Sequence, residues 1–245
     1  MRSIKIFMVL GLYLSSLFED LEAQQTKTKN QKLDKREQSI VIISAFTAKG
    51  DLIQLEKAIN DGLNAGLSIN EIKEVLVQLY AYTGFPRSLN ALHTLMNVLK
   101  ERNQKGIKDE MGKEANPLPS DKTRLQFGTE IQTKLVGQPV KGEIYEFAPA
   151  IDQFLKEHLF GDIFGRDNLD FKTREIATIA ALASLGGVEN QLRSHFGVGM
   201  YNGLAEEQLT HLVSLISSNI GAKEGNEANQ ILQAILKTRQ SDSDN

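Results

Sequence analysis

The sequence predicts an all-α protein that is built from two copies of one helical unit. Apolar residues recur at helical spacing along most of the 245-residue chain, and no stretch of useful length alternates with the period of a β-strand. Polar capping signals mark the starts of several of these helices. A set of glycine and leucine positions also occurs twice, so we expect each copy to cover the apolar face of the other as a pseudo-twofold unit.

The two copies match at a nearly constant separation along the chain. Positions 137 residues apart agree from the first inter-helix glycine onward: Gly50 with Gly187, Leu55 with Leu192, Gly62 with Gly199, Gly66-Leu67 with Gly203-Leu204, and Ile72 with Leu209. Upstream, Arg36-Glu37 matches Arg174-Glu175 at a separation of 138 residues, which indicates that one residue has been gained between the helices. The chain is therefore predicted to be a tandem repeat.

Residues 1–23 have the features of a secretory signal peptide. Arg2 and Lys5 precede an apolar stretch, residues 6–17, that is too short to span a membrane comfortably. Cleavage after Ala23 would leave a mature chain that begins near Gln24. We expect an exported, periplasmic protein without a membrane segment in its mature form; the alternative is an amphipathic leader or an incorrectly assigned start codon.

The first repeat is predicted at residues 24–102. Asp34 and Glu37 form a capping pair ahead of its first helix, and Ser68 and Glu71 form a capping box ahead of its third. A glycine-proline break ends the third helix, and a fourth helix completes the repeat. These signals predict four helices in sequence.

The remaining chain divides into a connecting region and a second repeat. Residues 103–164 begin with glycines and prolines among charged residues and continue as connecting helices. The second repeat is predicted at residues 165–240. Its first helix starts at Asp170, runs through an almost entirely apolar segment and ends at Gly186-Gly187.

Composition excludes several classes of function. The chain has a formal net charge of −3 and no long basic run, so we expect no nucleic-acid partner. It has no cysteine, which excludes disulfides, thiolate metal sites and thiol-based redox chemistry. The histidines at 93, 158 and 211 have no acidic neighbours at metal-ligand spacing, so we expect no metal site.

The second half carries four motifs in a specific order: FGDIFGR, LDFKTREIATIAALASLG, QLRSH and NGL. Together they resemble the carboxymuconolactone decarboxylase family, within the wider alkylhydroperoxidase-D-like superfamily. The resemblance implies a fold of two alkylhydroperoxidase-D-like helical repeats. It also implies a homo-oligomer, a trimer or similar ring, and the nearly all-apolar helix after Asp170 agrees with such an association.

The redox branch of that superfamily is opposed by the residues of this chain. Its members place a Cys-x-x-Cys pair before a histidine, with a glutamate on the preceding helix. Matching His195 to the family's histidine puts Val188 and Gln191 where the cysteines would be. The decarboxylase branch needs neither thiol nor cofactor, so the resemblance implies a lyase-type reaction without a cofactor.

The resemblance further implies a catalytic group of three residues in the second repeat. His195 can donate a proton near neutral pH, Glu175 can orient it or carry a proton, and Arg174 can hold a carboxylate through two hydrogen bonds. Val188, Gln191 and His195 lie three and four residues apart, so they share one helix face. The predicted substrate-binding residues are Val188, Gln191, Tyr82 and Arg87, the last two from the first repeat.

A structural role is open for each of these groups. A histidine on a packed helix can serve packing alone, and Arg174 and Glu175 can form bridges to Glu37 and Arg36 across the pseudo-twofold axis. At the level of function, the first hypothesis is cofactor-free decarboxylation or isomerisation of a small carboxylated lactone or related acid. The alternative is an exported, non-catalytic helical protein that binds a small ligand, expected to bear a carboxylate.

Overall fold

The computed structural model describes residues 32–243, and all of the regular secondary structure in that range is helical. The first repeat consists of α1 (Lys35–Lys49), α2 (Leu52–Asn64), α3 (Ile69–Thr83) and α4 (Phe85–Gln104). The connecting region contains α5 (Arg124–Val136), α6 (Glu143–Phe147), α7 (Pro149–Phe154) and a π-helical segment (Leu155–Phe164). The second repeat consists of α8 (Phe171–Leu185), α9 (Glu189–Tyr201), α10 (Glu206–Asn219) and α11 (Ala222–Ser243). The predicted all-α class with two helical repeats is confirmed; the predicted signal peptide lies outside the described residues.

The helix starts follow the capping signals in the sequence. Asp34 accepts a hydrogen bond from the backbone N–H of Glu37, and the Glu37 carboxylate accepts one from the backbone of Asp34. Ser68 and Glu71 form the same reciprocal pair at α3. Asp170 caps α8 through the N–H of Thr173, 2.7 Å away. These caps satisfy backbone donors that have no partner within the first turn of a helix.

The repeats correspond helix by helix, but the separation differs between their first helices and the rest. The N-caps Asp34 and Asp170 are 136 residues apart, whereas α2 and α9 start 137 residues apart, at Leu52 and Glu189. The change arises because the loop before α9 is one residue longer than the loop before α2. The predicted separation of 138 for the first helices is therefore wrong.

Close contacts around two equivalent glycines establish the same alignment. A Cβ atom at Gly62 would meet Ile43 and Ser39, and one at Gly199 would meet Ile179 and Glu175. Ser39 is thus the counterpart of Glu175, because the two residues occupy the same place beside the equivalent glycine.

Helices α1 and α8 pack against each other at the centre of the molecule. Every residue of α8 from 174 to 184 is buried within the single chain, and α1 is buried over most of residues 40–48. Both repeats contribute to one continuous apolar core. The nearly all-apolar character of α8 is explained inside the chain, so it no longer supports an oligomer, and the predicted ring stays a prediction.

The connecting helices form a second, smaller core beside the second repeat. Four buried residues make up its centre: Leu135, Phe160, Ile163 and Phe164. Phe171 and Val198 of the second repeat pack against this cluster, and the side chain of Asn202 donates a hydrogen bond to the Leu135 carbonyl at 2.8 Å. The connecting helices therefore cover part of the second repeat.

No helix within residues 32–243 combines the length and the apolar character needed to cross a lipid bilayer.

Candidate functional site

The sequence-predicted pair Glu175 and His195 lies together in the second repeat. His195 Nδ1 is 2.8 Å from Glu175 Oε2, and the two side chains are 19% and 0% exposed, respectively. Glu175 lies in the second turn of α8 and His195 in the middle of α9, so the hairpin of these helices brings the residues together. The carboxylate holds the proton of the imidazole on Nδ1, which leaves Nε2 for a ligand.

Tyr82, from α3 of the first repeat, completes this group. Its ring meets the ring of His195 edge-on, with 5.6 Å between the ring centroids. Glu175 Oε1 is buried and has no hydrogen-bond partner in the described part of the protein. The buried Tyr82 hydroxyl lies near Thr178 but forms no hydrogen bond of ordinary geometry within the described residues. Burial, and next the charge of Glu175, raise the pKa of Tyr82 well above its usual value. Tyr82 therefore remains protonated, and its hydroxyl can donate a hydrogen bond to a ligand.

Arg174 faces the interior of the protein. It is fully buried, and its guanidinium donates to Gln78 Oε1, to Glu74 Oε1 and to the Arg166 carbonyl, each at 2.8 Å. The predicted alternative of a structural bridge fits this geometry, but the carboxylate partner is Glu74 and not Glu37. Glu37 pairs instead with Lys172 at 2.8 Å.

Glu74 is the acceptor at the centre of this buried network. It is 2% exposed and accepts hydrogen bonds from Arg174, from Arg166 Nε at 2.9 Å and from Asn168 Nδ2 at 3.0 Å. Burial opposes its charge, but these three donors outweigh burial and hold the pKa of the Glu74 carboxyl below its ordinary value. Glu74 is therefore ionised and, with Arg174, joins α3 of the first repeat to α8 of the second.

Comparison of the sequence with known proteins agrees with the helical fold of two repeats. The sequence model of the carboxymuconolactone decarboxylase family matches residues 15–95 and 149–234, which is more than half of the chain. This chain belongs to the carboxymuconolactone decarboxylase family. It is also similar to a 4-carboxymuconolactone decarboxylase of Acinetobacter baylyi (strain ATCC 33305 / BD413 / ADP1), with 27% identity over 122 residues, 48% of this chain and 90% of that protein.

In this member of the carboxymuconolactone decarboxylase family, the other predicted substrate-binding residues lie less close to the Glu175–His195 pair. Gln191 is exposed one helical turn before His195, and Val188 is half-buried at the start of α9, against the core. Arg87 is exposed in the first turn of α4 and lies beside Gly50 of the first repeat. No hydrogen bond or ion pair in residues 32–243 joins Arg87 to Glu175 or His195.

Sequence reasoning missed Glu74 and Gln78. Gln78 is fully buried, and its amide donates to the Arg174 carbonyl and to Thr178 Oγ1, both at 2.9 Å. Glu74, Gln78 and Tyr82 are spaced four residues apart, so they form one polar stripe on α3. That regular spacing of polar residues among the apolar residues of α3 was the signal that could have identified them.

Of the two repeats, as far as the structure describes them, the second carries the acid–base pair and the first does not. In the first repeat, Ser39 stands at the place of Glu175 and Ala58 at the place of His195. Residues 32–243 also contain no group of three or more histidine or acidic side chains arranged to hold a metal ion. The Glu175–His195 pair itself has the geometry to transfer a proton.

Proposed function

We propose that this protein is a cofactor-independent enzyme that removes CO2 from, or isomerises, a small carboxylated lactone or a related acid. The observation that carries the proposal is the Glu175–His195 pair, because a buried carboxylate holds a partly exposed imidazole in one orientation beside Tyr82. Such a pair is the usual arrangement of a positioned general acid–base. The name of the Acinetobacter baylyi relative, a 4-carboxymuconolactone decarboxylase, supports this class of substrate.

The proposed reaction begins when the carbon–carbon bond to a substrate carboxylate breaks. CO2 leaves, and the bonding electron pair moves onto a conjugated carbonyl as an enolate. The protonated His195 then gives its Nε2 proton to carbon, while Glu175 stabilises the imidazolium through Nδ1. The imidazole recovers the proton from solvent. The Tyr82 hydroxyl, which forms no hydrogen bond of ordinary geometry within the described residues, can donate to the enolate oxygen.

A second candidate function is ligand binding without catalysis. It is favoured by the position of Arg174, because a guanidinium that is already bonded to Glu74 and Gln78 inside the protein cannot hold a substrate carboxylate. Carboxylate binding would then depend on groups other than Arg174.

The test compares His195→Gln with wild-type protein in a spectrophotometric assay of 4-carboxymuconolactone turnover. We expect the turnover number to fall by about 10²-fold or more, the usual size of the loss of a positioned acid–base. His93→Gln is the matched control, since His93 is exposed on α4 far from the pair in sequence, and it should keep full activity. Thermal unfolding of both variants verifies the fold.

The two candidate functions give different results in this assay. Full activity of a folded His195→Gln protein would contradict catalysis by the pair. Binding of the lactone by wild-type protein without turnover would favour the second candidate. Export of the chain and its association into a trimer or similar ring stay predictions.

A further inference from the structure

A large groove of the described structure lies in the first repeat, away from His195. Its volume is about 1060 Å³, and it runs between α1, α2 and the C-terminal end of α10. This is at the upper end of the volumes that small-molecule sites have in proteins. The groove is thus large enough to hold a molecule with a substantial apolar body.

The groove is the pseudo-symmetric counterpart of the Glu175–His195 site. Ser39, Ala58 and Asn219 line it, and they correspond to Glu175, His195 and Tyr82 by the separations of 136 and 137 residues. Smaller side chains replace larger ones at all three places, which explains why the space is open here. None of the three replacements titrates near neutral pH, so the groove can bind a ligand but offers no acid–base chemistry.

The residues at the mouth of the groove are suited to contact with water and not to packing against another helix. Phe171 and Val198, which pack against the connecting helices in the second repeat, correspond to Lys35 and Asp61 at the groove. Both of these charged residues are exposed. Charged residues are depleted at the centres of protein interfaces, so a second copy of the chain is not the occupant that this mouth favours.

The charges at the rim favour a ligand with one negative group. Lys49 pairs with Glu224 at 3.0 Å, and Lys57 pairs with Asp61 at 2.6 Å. Lys35, at the start of α1, has no carboxylate partner within the described residues. Asp51, beyond the other end of α1, is a groove carboxylate that likewise has no ion pair within the described residues. An anionic group is therefore favoured at the Lys35 end of the groove and not at the Asp51 end.

Apolar side chains form part of the groove lining, namely Ile42, Phe46, Leu215 and Ile220, and polar side chains form the rest. The helix rise places Lys35 about 16 Å along α1 from Phe46. We propose that the first-repeat groove binds an elongated apolar molecule that carries one anionic group, with the anion at Lys35 and the apolar body along α1 and α10.

The test uses two fluorescent probes with the same ring system. One is 8-anilinonaphthalene-1-sulfonate, an apolar monoanion, and the other is N-phenyl-1-naphthylamine, its neutral counterpart. Each is titrated into the full chain, and fluorescence gives the dissociation constant and the stoichiometry. We expect one site for each probe and tighter binding of the sulfonate.

Two kinds of variant locate the site. Ser218→Trp places a large ring at the exposed rim, and Ala58→Phe fills the floor; each should weaken both probes by more than about tenfold, since the apolar body loses its space. Lys35→Gln should weaken the sulfonate by about 2- to 5-fold and leave the amine unchanged, the size expected of one exposed charge. Lys100→Gln, an exposed lysine outside the groove, is the matched control for charge and should change neither probe.

Three results would overturn the proposal. The first is a Ser218→Trp protein that is folded and binds both probes as wild type does. The second is an equal effect of Lys35→Gln on the two probes, which would remove the anion-specific role of Lys35. The third is loss of probe binding in His195→Gln, which would move the probes to the second repeat. The activity of His195 is not measured in this experiment, so its failure leaves the proposed catalytic function separately testable.

Discussion

Replacing Glu74 by glutamine should be the most destabilising single polar substitution in the contact between the repeats. The amide keeps the shape of the carboxylate but removes its charge, so the buried guanidinium of Arg174 loses its counter-ion. One end of the amide also becomes an N–H donor. That donor must face a donor of Arg174, Arg166 or Asn168, because all three point at this side chain.

The magnitude follows from the burial of the pair. Glu74 and Arg174 are 2% and 0% exposed, and breaking a buried ion pair by removal of one partner costs about 3–5 kcal/mol. With a urea dependence of about 3 kcal/mol/M, this loss lowers the unfolding midpoint by about 1–1.7 M urea. Equilibrium urea unfolding followed by circular dichroism at 222 nm measures it.

Two comparisons make this prediction refutable. Glu130→Gln removes an exposed pair with Lys122 and should hardly move the midpoint. A double variant, Glu74→Leu with Arg174→Met, removes both charges and should recover most of the stability that Glu74→Gln loses. Equal midpoints for Glu74→Gln and Glu130→Gln would refute the account of the pair, and so would a double variant less stable than Glu74→Gln.

Three further predictions concern acid, the tyrosine and the connecting helices. The folded-state pKa of Glu74 lies below its ordinary value of 4.5, so its stabilising effect is complete above pH 4.5 and is lost as the pH falls through the folded value. The difference in urea midpoint between wild type and Glu74→Gln should therefore be constant from pH 7 to 5 and shrink toward pH 3. An undiminished difference at pH 3 would contradict this. Tyr82→Phe should change the free energy of unfolding by less than about 1 kcal/mol, because its hydroxyl forms no hydrogen bond of ordinary geometry within the described residues. The same variant should lower turnover by about 10²-fold, and unchanged turnover would exclude the hydroxyl from the reaction. Gly128→Ala should separate the connecting helices, because a Cβ atom there would lie 1.6 Å from the Lys156 carbonyl oxygen. Trypsin should then cleave the connecting region faster than it does in the control Gly197→Ala, where the Cβ atom meets nothing within 4 Å. Equal cleavage of the two variants would show that the contact at Gly128 adjusts.

The parts of the fold that depend on neighbouring residues were predictable from sequence. Asp34, Ser68 and Asp170 each cap a helix within three residues of themselves, so their effect is visible in a short window. The recurring glycine and leucine positions likewise indicated that the helical unit occurs twice. The π-helical form of Leu155–Phe164 was not predicted, because side-chain spacing indicates a helix there without indicating its hydrogen-bond register.

The candidate site was predictable only in part, because its partners are distant in sequence. Glu175 and His195 belong to one helical hairpin, and the motifs around them indicated that the two side chains meet. Arg174 and Glu74 are 100 residues apart, and neither local pattern names the other. The wrong separation of 138 residues also placed Glu37 at the position of Glu175, although Ser39 occupies it.

The buried network around Glu74 affects how the two halves of the chain behave when they are produced as separate fragments. A cut in the linker between α4 and α5 would give an N-terminal fragment with an uncompensated carboxylate at 74 and a C-terminal fragment with an uncompensated guanidinium at 174. Each fragment would also expose the face of α1 or α8 that the other covers. Neither fragment is self-sufficient, but each carries the charge and the apolar surface that the other lacks. Co-expressed halves should therefore reassemble, which would make this protein a split reporter whose recombination depends on one carboxylate.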